Sequence, residues 1–497
     1  MNEPEQKPSP QDSLSLFAIL LLDSLLRFLH LGRQSVWIDE GFSYWATRFS
    51  FLDIAKLSWE DVHPPLYYWL LKICLWVLPG TEFGIRVFSV LCSVGTLAVM
   101  IFFVRRHWGQ RAACYVGLLA AFSPFDIYYA QEARMYALLA FLFVLSYTQL
   151  IGVFEGKRHS LILWVVACIG LAWTHVYGVM AVFLEAGLLL GSWIWHKSRN
   201  RPLPLGAQEL SLACGGVLLG MSPVLIFFWA LRSSGASVLI PDSSRLVYIV
   251  RCWCAGPMNA FPAFIISWRV RDLGVVAMLG CTILGVRQLW RRGDSSRWIL
   301  YFTLALLVLP PLLIYAYAAL KKQMLWVDRG FLGNAHILYL LAGVGLGNLG
   351  SRVLRGIAAA AIAMSLVTGE IYYYTRFEKC GAATAFRALP PLTPQRAVLV
   401  NPAWMGPEAW YYLRANPVFW GVQSQAPWQL VHSSPPDEWK LEEHVRKCDD
   451  PELQPVSDIY AYGDPSRIRD ERKRWPECLL AKKIWVFEGS RWRPIDE

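Results

Sequence analysis

Apolar runs of membrane-crossing length recur along the first three quarters of the chain, separated by short polar segments. The first runs from Leu14 to Leu31. Val87 to Val104, Ala112 to Ile127, Met135 to Phe154, Leu161 to Trp173 and Tyr177 to Trp195 follow. Leu210 to Leu231, Leu273 to Leu289, Trp298 to Leu320, Phe331 to Leu349 and Ile357 to Tyr372 complete the series. Basic clusters mark alternate ends: Arg105-Arg106-His107, Lys157-Arg158, His196-Lys197-Ser198-Arg199, Arg291-Arg292, and Arg352 with Arg355. Holding these clusters on the cytoplasmic side orders the chain into about eleven spans. The semi-apolar run Leu66 to Leu78 enters through His63-Pro64-Pro65. Counting it as a crossing would move Arg105-Arg106-His107 outside. It therefore reads as an interfacial or re-entrant helix in the first outer loop.

From Thr375 the pattern changes to a polar segment rich in Pro, Trp and charge. Ala397 to Val400 reads as a buried strand, Glu408 to Arg414 as a helix, and Lys483 to Phe487 as a late strand. The expected fold is an α-helical polytopic membrane protein, residues 1–374, followed by a small soluble α/β domain, residues 375–497. The topology puts that domain on the outer face of the plasma (inner) membrane. Neither an internal repeat nor a low-complexity tract is present.

Composition agrees. Of 497 residues, 55% are hydrophobic and 17% charged, and mean hydropathy is +0.35. Soluble domains carry about 25% charged residues. The 24 Trp, 21 Tyr and 25 Phe suit interfacial belts and sugar-stacking surfaces. The net charge of +10 matches cytoplasmic Lys and Arg, and no basic run has nucleic-acid character. The first apolar run has no small-residue cleavage site and reads as an uncleaved signal anchor. Of eleven cysteines, most lie in apolar segments, while Cys380, Cys448 and Cys478 fall in the polar tail with pairing open.

Candidate chemistry gathers on one predicted face. Asp39 and Glu40, in Trp37-Ile38-Asp39-Glu40-Gly41, and His63 fall in the first outer loop. Glu132 and Arg134, in Gln131-Glu132-Ala133-Arg134, fall in the second. His175 lies between two short spans, and Lys321, Lys322, Asp328 and Arg329 follow the ninth. Glu132 and Arg134 are two apart and do not face each other on a helix, which predicts a loop or different partners. Such a set suits glycosyl transfer from a lipid phosphate. A carboxylate, Asp39, would take the acceptor proton, and Arg134, Arg329 and His63 would meet the phosphate. Each also has a plain structural reading. Asp39-Glu40 would cap a helix beginning near Gly41, and His63-Pro64-Pro65 would only start one.

Four ordered segments carry a resemblance: Trp37-Ile38-Asp39-Glu40, His63-Pro64-Pro65-Leu66-Tyr67-Tyr68-Trp69, Arg86-Val87-Phe88-Ser89, and Tyr129 to Leu138. Together they resemble the family 39 glycosyltransferases of the GT-C superfamily, alongside protein O-mannosyltransferases and the aminoarabinose transferase of lipid A. The resemblance implies inverting transfer of a hexosyl or pentosyl group from a polyprenyl-phosphate donor to a lipid, glycan or protein hydroxyl. It makes Asp39 the base and Glu40 the second acid. It assigns His63, Arg134 and Arg329 to the donor phosphate, and Glu132 and His175 to the acceptor or a metal. Gly330 directly after Arg329, with Phe331 next, departs from the family's pattern. No cofactor is required, and a divalent cation is optional. The competing reading is a transporter or flippase of lipid-linked glycans, which predicts acids buried mid-span and paired broken helices.

Overall fold

The computed structural model describes residues 10–60, 63–200, 205–231, 243–256, 268–321, 326–391, 393, 395–401, 406–413, 419–421, 457–472, 481–488 and 490–495. In chain order the first helices are α1 (Pro10–Phe28), α2 (Ile38–Ala46), α3 (Phe51–Glu60), α4 (Leu66–Cys74), α5 (Gly84–Trp108), α6 (Gln110–Ala121) and α7 (Pro124–Ala130). They are followed by α8 (Tyr136–Phe154), α9 (Arg158–Thr174), α10 (Val176–Ser198), α11 (Ala207–Leu231), α12 (Ser244–Ala255), α13 (Trp268–Arg291) and α14 (Asp294–Lys321). A short 3₁₀ turn, Asp328–Phe331, precedes α15 (Leu332–Gly347) and α16 (Arg352–Thr375). The C-terminal segment holds α17 (Ala382–Arg387), β1 (Arg396–Asn401), α18 (Gly406–Leu413), β2 (Phe419–Gly421), β3 (Asp458–Gly463), α19 (Pro465–Arg472), β4 (Lys483–Glu488) and β5 (Arg491–Pro494).

Among the described residues, eight helices are long and apolar enough to cross a membrane: α5, α8, α10, α11, α13, α14, the helix containing α15, and α16. The charge-based count of eleven differs at three runs. α1 also has 19 residues but carries Asp12, Asp23 and Arg27. Its Asp23 and Arg27 form a fully buried ion pair one turn apart, and Arg27 Nε also donates to Ser93 Oγ at 2.7 Å. α9 is a shorter apolar helix. The run Ala112 to Ile127, expected as one span, is broken after α6, where Ser123 Oγ accepts from the Asp126 N–H and Pro124 begins α7. α4 has nine residues, about 14 Å of helix against a hydrocarbon core of about 30 Å, so it does not cross. The helix α12 was not expected. α14 continues through Pro310 and Pro311.

The chain divides into two compact units. One comprises residues 1–31, 55–70 and 86–377, the other 32–54, 71–85 and 378–497. In the first, α13 and α15 pack with their backbones in contact. A Cβ on Gly345 would collide with the Cys281 carbonyl oxygen, and one on Gly285 with the Leu341 carbonyl oxygen. Lipid gives helices no hydrophobic reason to associate, so this close approach substitutes for it.

In the second unit a five-stranded sheet has the order β2-β1-β3-β4-β5, with β1, β2, β3 and β4 parallel and β5 antiparallel to β4. The chain moves one way from β1 to β2 and the other way from β3 to β4. Right-handed crossovers therefore put α18 and α19 on opposite faces. Val398 and Tyr462 pack with Ala382, Ala385 and Phe386 of α17 and Ala409 of α18 to form the core on the α18 face. The strand and helix expected from the polar tail are present as β1, α18 and β4.

Gly345→Ala should lower the thermal midpoint in lipid by the equivalent of about 1–3 kcal/mol, because neither backbone can yield alone. An unchanged midpoint would show that α13 and α15 are free to separate.

Candidate functional site

In the first unit, the loop between α7 and α8 carries Gln131-Glu132-Ala133-Arg134. The i,i+2 spacing of Glu132 and Arg134 is thus resolved by a loop, in which the Arg134 N–H donates to the Glu132 carbonyl at 2.8 Å. Both side chains are buried. Gln131 pins the loop: its Nε2 donates to the Arg27 and Leu29 carbonyls at 2.8 Å each, and its Oε1 accepts from Tyr373 at 2.9 Å. Arg134 Nη1 donates to the Tyr68 hydroxyl at 3.2 Å. Below the loop, Asp126 of α7 stands 3.3 Å from His336 Nε2 of α15, both buried.

His63, Arg134, Arg329 and Tyr136 gather around His175. The His63 and His175 rings lie 5.5 Å apart, and His175 lies 6.0 Å from Tyr136. The Arg329 guanidinium lies over the Tyr136 ring at 5.0 Å, a cation–π contact. His175 separates α9 from α10, and its Nδ1 accepts from the Tyr177 N–H at 3.1 Å. Burial, with His63, Arg134 and Arg329 nearby, pushes its pKa well down. His175 is therefore neutral at pH 7, with Nδ1 as acceptor and the proton on Nε2.

Tyr177 extends this order to the next segment. Its hydroxyl accepts from the Val327 N–H at 2.8 Å, and its ring packs on Phe331 at 4.9 Å. A Cβ on residue 330 would fall on the Tyr177 ring. This accounts for Gly330 beside Arg329, the departure from the family's pattern. Trp326 Nε1 donates to Asp328 Oδ1 at 2.6 Å. Lys322 lies outside the described residues, as does the side chain of Lys321.

Asp39 and Glu40 belong to the second unit. They are not caps. α2 begins at Ile38 after Trp37, which makes no side-chain cap, and both acids lie in the first turn. The positive end of the helix favours carboxylates there. Asp39 is half-buried, whereas Glu40 is fully buried with Lys379 Nζ at 3.5 Å from Oε1. α2 packs on α18 through Tyr44, whose ring lies 5.9 Å from Trp410 and 5.2 Å from Tyr411.

Beneath that contact Glu408 is buried and accepts from Tyr462 at 2.8 Å and from the Ile38 N–H. Burial pushes its pKa up to about 7, against the hydrogen bonds from Tyr462, Cys380 and Ile38 that lower it. Burial also pushes the neighbouring Cys380 thiol up to about 12, so it stays protonated. Cys380 is a free thiol, while Cys448 and Cys478 lie outside the described residues.

Sequence reading missed Lys379, Glu408, Gln131, Tyr136 and the Asp126–His336 pair as site residues. Tyr136 stood inside a quoted motif, whereas Lys379 and Glu408 had no local signal. Among the described residues, no group of three or more His, Cys, Asp or Glu side chains could hold a metal ion. Glu132 and His175 therefore do not find a third ligand of those kinds there.

Two features stand together in the first unit: long apolar helices, and a cationic–aromatic cluster at their loops in which Arg134, His175 and Tyr136 are buried. Residues 62–227 match the family described as dolichyl-phosphate-mannose-protein mannosyltransferase. No curated protein matches the sequence significantly. Among solved structures, ArnT from Cupriavidus metallidurans in the apo state has a TM-score of 0.56 at 13% identity, covering 82% of this chain and 85% of that one. The same protein bound to undecaprenyl phosphate has a TM-score of 0.53 at 16% identity, covering 83% and 86%. The Archaeoglobus fulgidus oligosaccharyltransferase in the apo form has a TM-score of 0.51 at 12% identity, covering 82% and 64%. Residues 62–227 thus resemble that mannosyltransferase family, and the chain shares the fold of ArnT.

Two predictions follow from this geometry. Gly330→Ala should displace Tyr177 and with it the Val327 hydrogen bond, costing about 1–3 kcal/mol of stability. Thermal unfolding beside Gly333→Ala, which meets the Phe143 ring instead, separates this from general crowding. The second concerns pH. A glutamate ordinarily titrates near about 4.3, so the folded state binds the Glu408 proton more tightly than the unfolded state. That contribution is complete below the ordinary value and is lost as pH rises towards about 7. The thermal midpoint of the native chain should fall relative to Glu408→Gln between pH 5 and pH 8, by the equivalent of up to about 3 kcal/mol. Parallel curves would mean that Glu408 does not titrate in this range.

Proposed function

We propose that the protein is an inverting glycosyltransferase that moves a sugar from a polyprenyl-phosphate donor to a hydroxyl of a lipid, glycan or protein acceptor at the outer membrane face. The observation that carries this reading is the gathering of Arg134, Arg329, His63 and Tyr136 around the buried His175. Two guanidiniums, Arg134 buried and Arg329 half-buried, suit an anion with several oxygens, and Arg offers a planar fork for phosphate. The neutral His175 can donate through Nε2 without adding charge. The ArnT structure with undecaprenyl phosphate makes a polyprenyl-phosphate carrier a natural donor for this fold.

The chemistry needs few parts. Asp39, the less buried of the two acids, takes the proton from the acceptor hydroxyl. The acceptor oxygen then forms its bond to the anomeric carbon as the bond from that carbon to the donor phosphate oxygen breaks. The electron pair leaves with the phosphate, whose charge Arg134, Arg329 and His63 stabilise. Attack opposite the leaving group inverts the anomeric centre. Glu132 and His175 orient the acceptor. Residues 1–374 supply the membrane-embedded part of this scheme, and residues 375–497 the extracytoplasmic domain.

The test is transfer from radiolabelled polyprenyl-phosphate sugars by purified protein in lipid. Asp39→Asn should reduce kcat by about 10²–10⁴-fold with donor binding retained. Equal transfer by both proteins would remove Asp39 as the base. Label that crosses the bilayer still attached to its lipid would favour the flippase reading instead.

A further inference from the structure

The two acids of the first turn differ sharply in their surroundings, and the difference comes from the C-terminal segment. α2 has nine residues, too few to hold its shape alone in water. Its opening N–H groups have no help from Trp37, which makes no side-chain cap. Residues more than 300 positions away supply it. The Val36 N–H donates to the Tyr412 hydroxyl at 2.8 Å, and the Ile38 N–H donates to Glu408. The Ala383 N–H donates to Ser35 Oγ at 3.2 Å, and the Lys379 N–H to Gln34 Oε1 at 3.0 Å. These contacts bracket the backbone just before Asp39. Lys379 also brings a buried ammonium to 3.5 Å from Glu40.

We propose that Lys379, Glu408 and Tyr412 are positioning residues that fix the Asp39 turn and keep Glu40 paired, so that Asp39 alone is presented for proton transfer. The proposal rests on the reading of Asp39 as base. It gives the α/β domain a task in the transfer step. Glu408 acts on the backbone of the helix start, Tyr412 on the residue before it, and Lys379 on the neighbouring carboxylate. None of the three needs to touch a substrate. An adjacent, unpaired Glu40 would repel the Asp39 charge and would be costly to keep buried. A shift of this turn by about 1 Å could cost on the order of 10²-fold in rate.

The experiment pairs amide hydrogen exchange with kinetics on the full-length protein in lipid. Glu408→Ala and Lys379→Met should speed exchange at the amides of residues 36–41 by about tenfold or more, with β1 and β3 unchanged. With a donor that the native protein turns over, both should lower kcat by about 10-fold or more while donor KM stays within about twofold. Lys379→Arg, which restores the charge, should recover most of kcat. The proposal is overturned if residues 36–41 keep native exchange, or if exchange rises equally across the sheet, which would mean general loosening. It is also overturned if Lys379→Met turns over normally. Exchange needs no catalysis. A native protein that transfers no sugar would therefore defeat the glycosyltransferase reading while the amides still decide whether the clamp exists.

Discussion

A carboxylate with no exposed surface must be neutralised or protonated, and Glu40 is such a carboxylate. Much of the second unit follows from how this requirement is met. Lys379 comes to Glu40 from the start of the C-terminal segment, and that approach brings Cys380 and α17 against the residues preceding α2. α18 then lies against α2, and the Tyr44, Trp410 and Tyr411 rings fill the contact. The ion pair itself adds little net stability, since desolvating both charges offsets their attraction. Its stronger effect is on specificity. Other packings that buried Glu40 without a cation would cost several kcal/mol.

The same constraint acts in the membrane unit by different means. There Arg27 is buried with Asp23 as its partner, Asp126 with His336, and Gln131 with two carbonyls and the Tyr373 hydroxyl. Gln131 ties its loop to the end of α1 and to α16, Asp126 with His336 joins α7 to α15, and Asp23 with Arg27 stays within α1, each at a point where an unpaired group would be penalised heavily. The Gln131 to Arg134 loop is therefore anchored immediately before its charged residues. Tyr177 does the equivalent for the turn carrying Arg329, receiving the Val327 N–H and leaving room for no side chain at residue 330. Rigid support of this kind is what electrostatic stabilisation of a leaving group requires, because dipoles that must reorganise lose most of their effect.

Legibility in the sequence divides along the same lines. Long apolar helices, the loop around Glu132 and Arg134, the short α4 and the elements β1, α18 and β4 could be read locally, because hydrophobic period, spacing and length decide them. The break between α6 and α7 could not be read from hydropathy, since Phe122 to Ile127 is mostly apolar; only Ser123-Pro124 gave a capping signal. α12 was hidden by its mixture of arginines and aromatics. Lys379 and Glu408 were invisible for a different reason. Their meaning lies in Glu40 and Ile38, hundreds of positions earlier, and no local pattern encodes that pairing. Gly330 is intermediate: its departure from the family's pattern was visible, but its cause, the Tyr177 ring, required the structure.

Sequence identities of 12–16% with structures that share the fold show how little of the architecture depends on particular side chains. Helix length and apolarity satisfy the bilayer almost regardless of which apolar residue is used. Charged groups are under the opposite constraint. Each buried one needs a partner of suitable charge, reach and direction, so a change at one position demands a change at another. Among the described residues such pairs include Glu40 with Lys379, Asp23 with Arg27 and Asp126 with His336. The information specific to this protein is concentrated in such pairs and in the loops they restrain. The acids are the clearest instance: adjacent in sequence, Asp39 and Glu40 are made chemically unequal by one buried lysine.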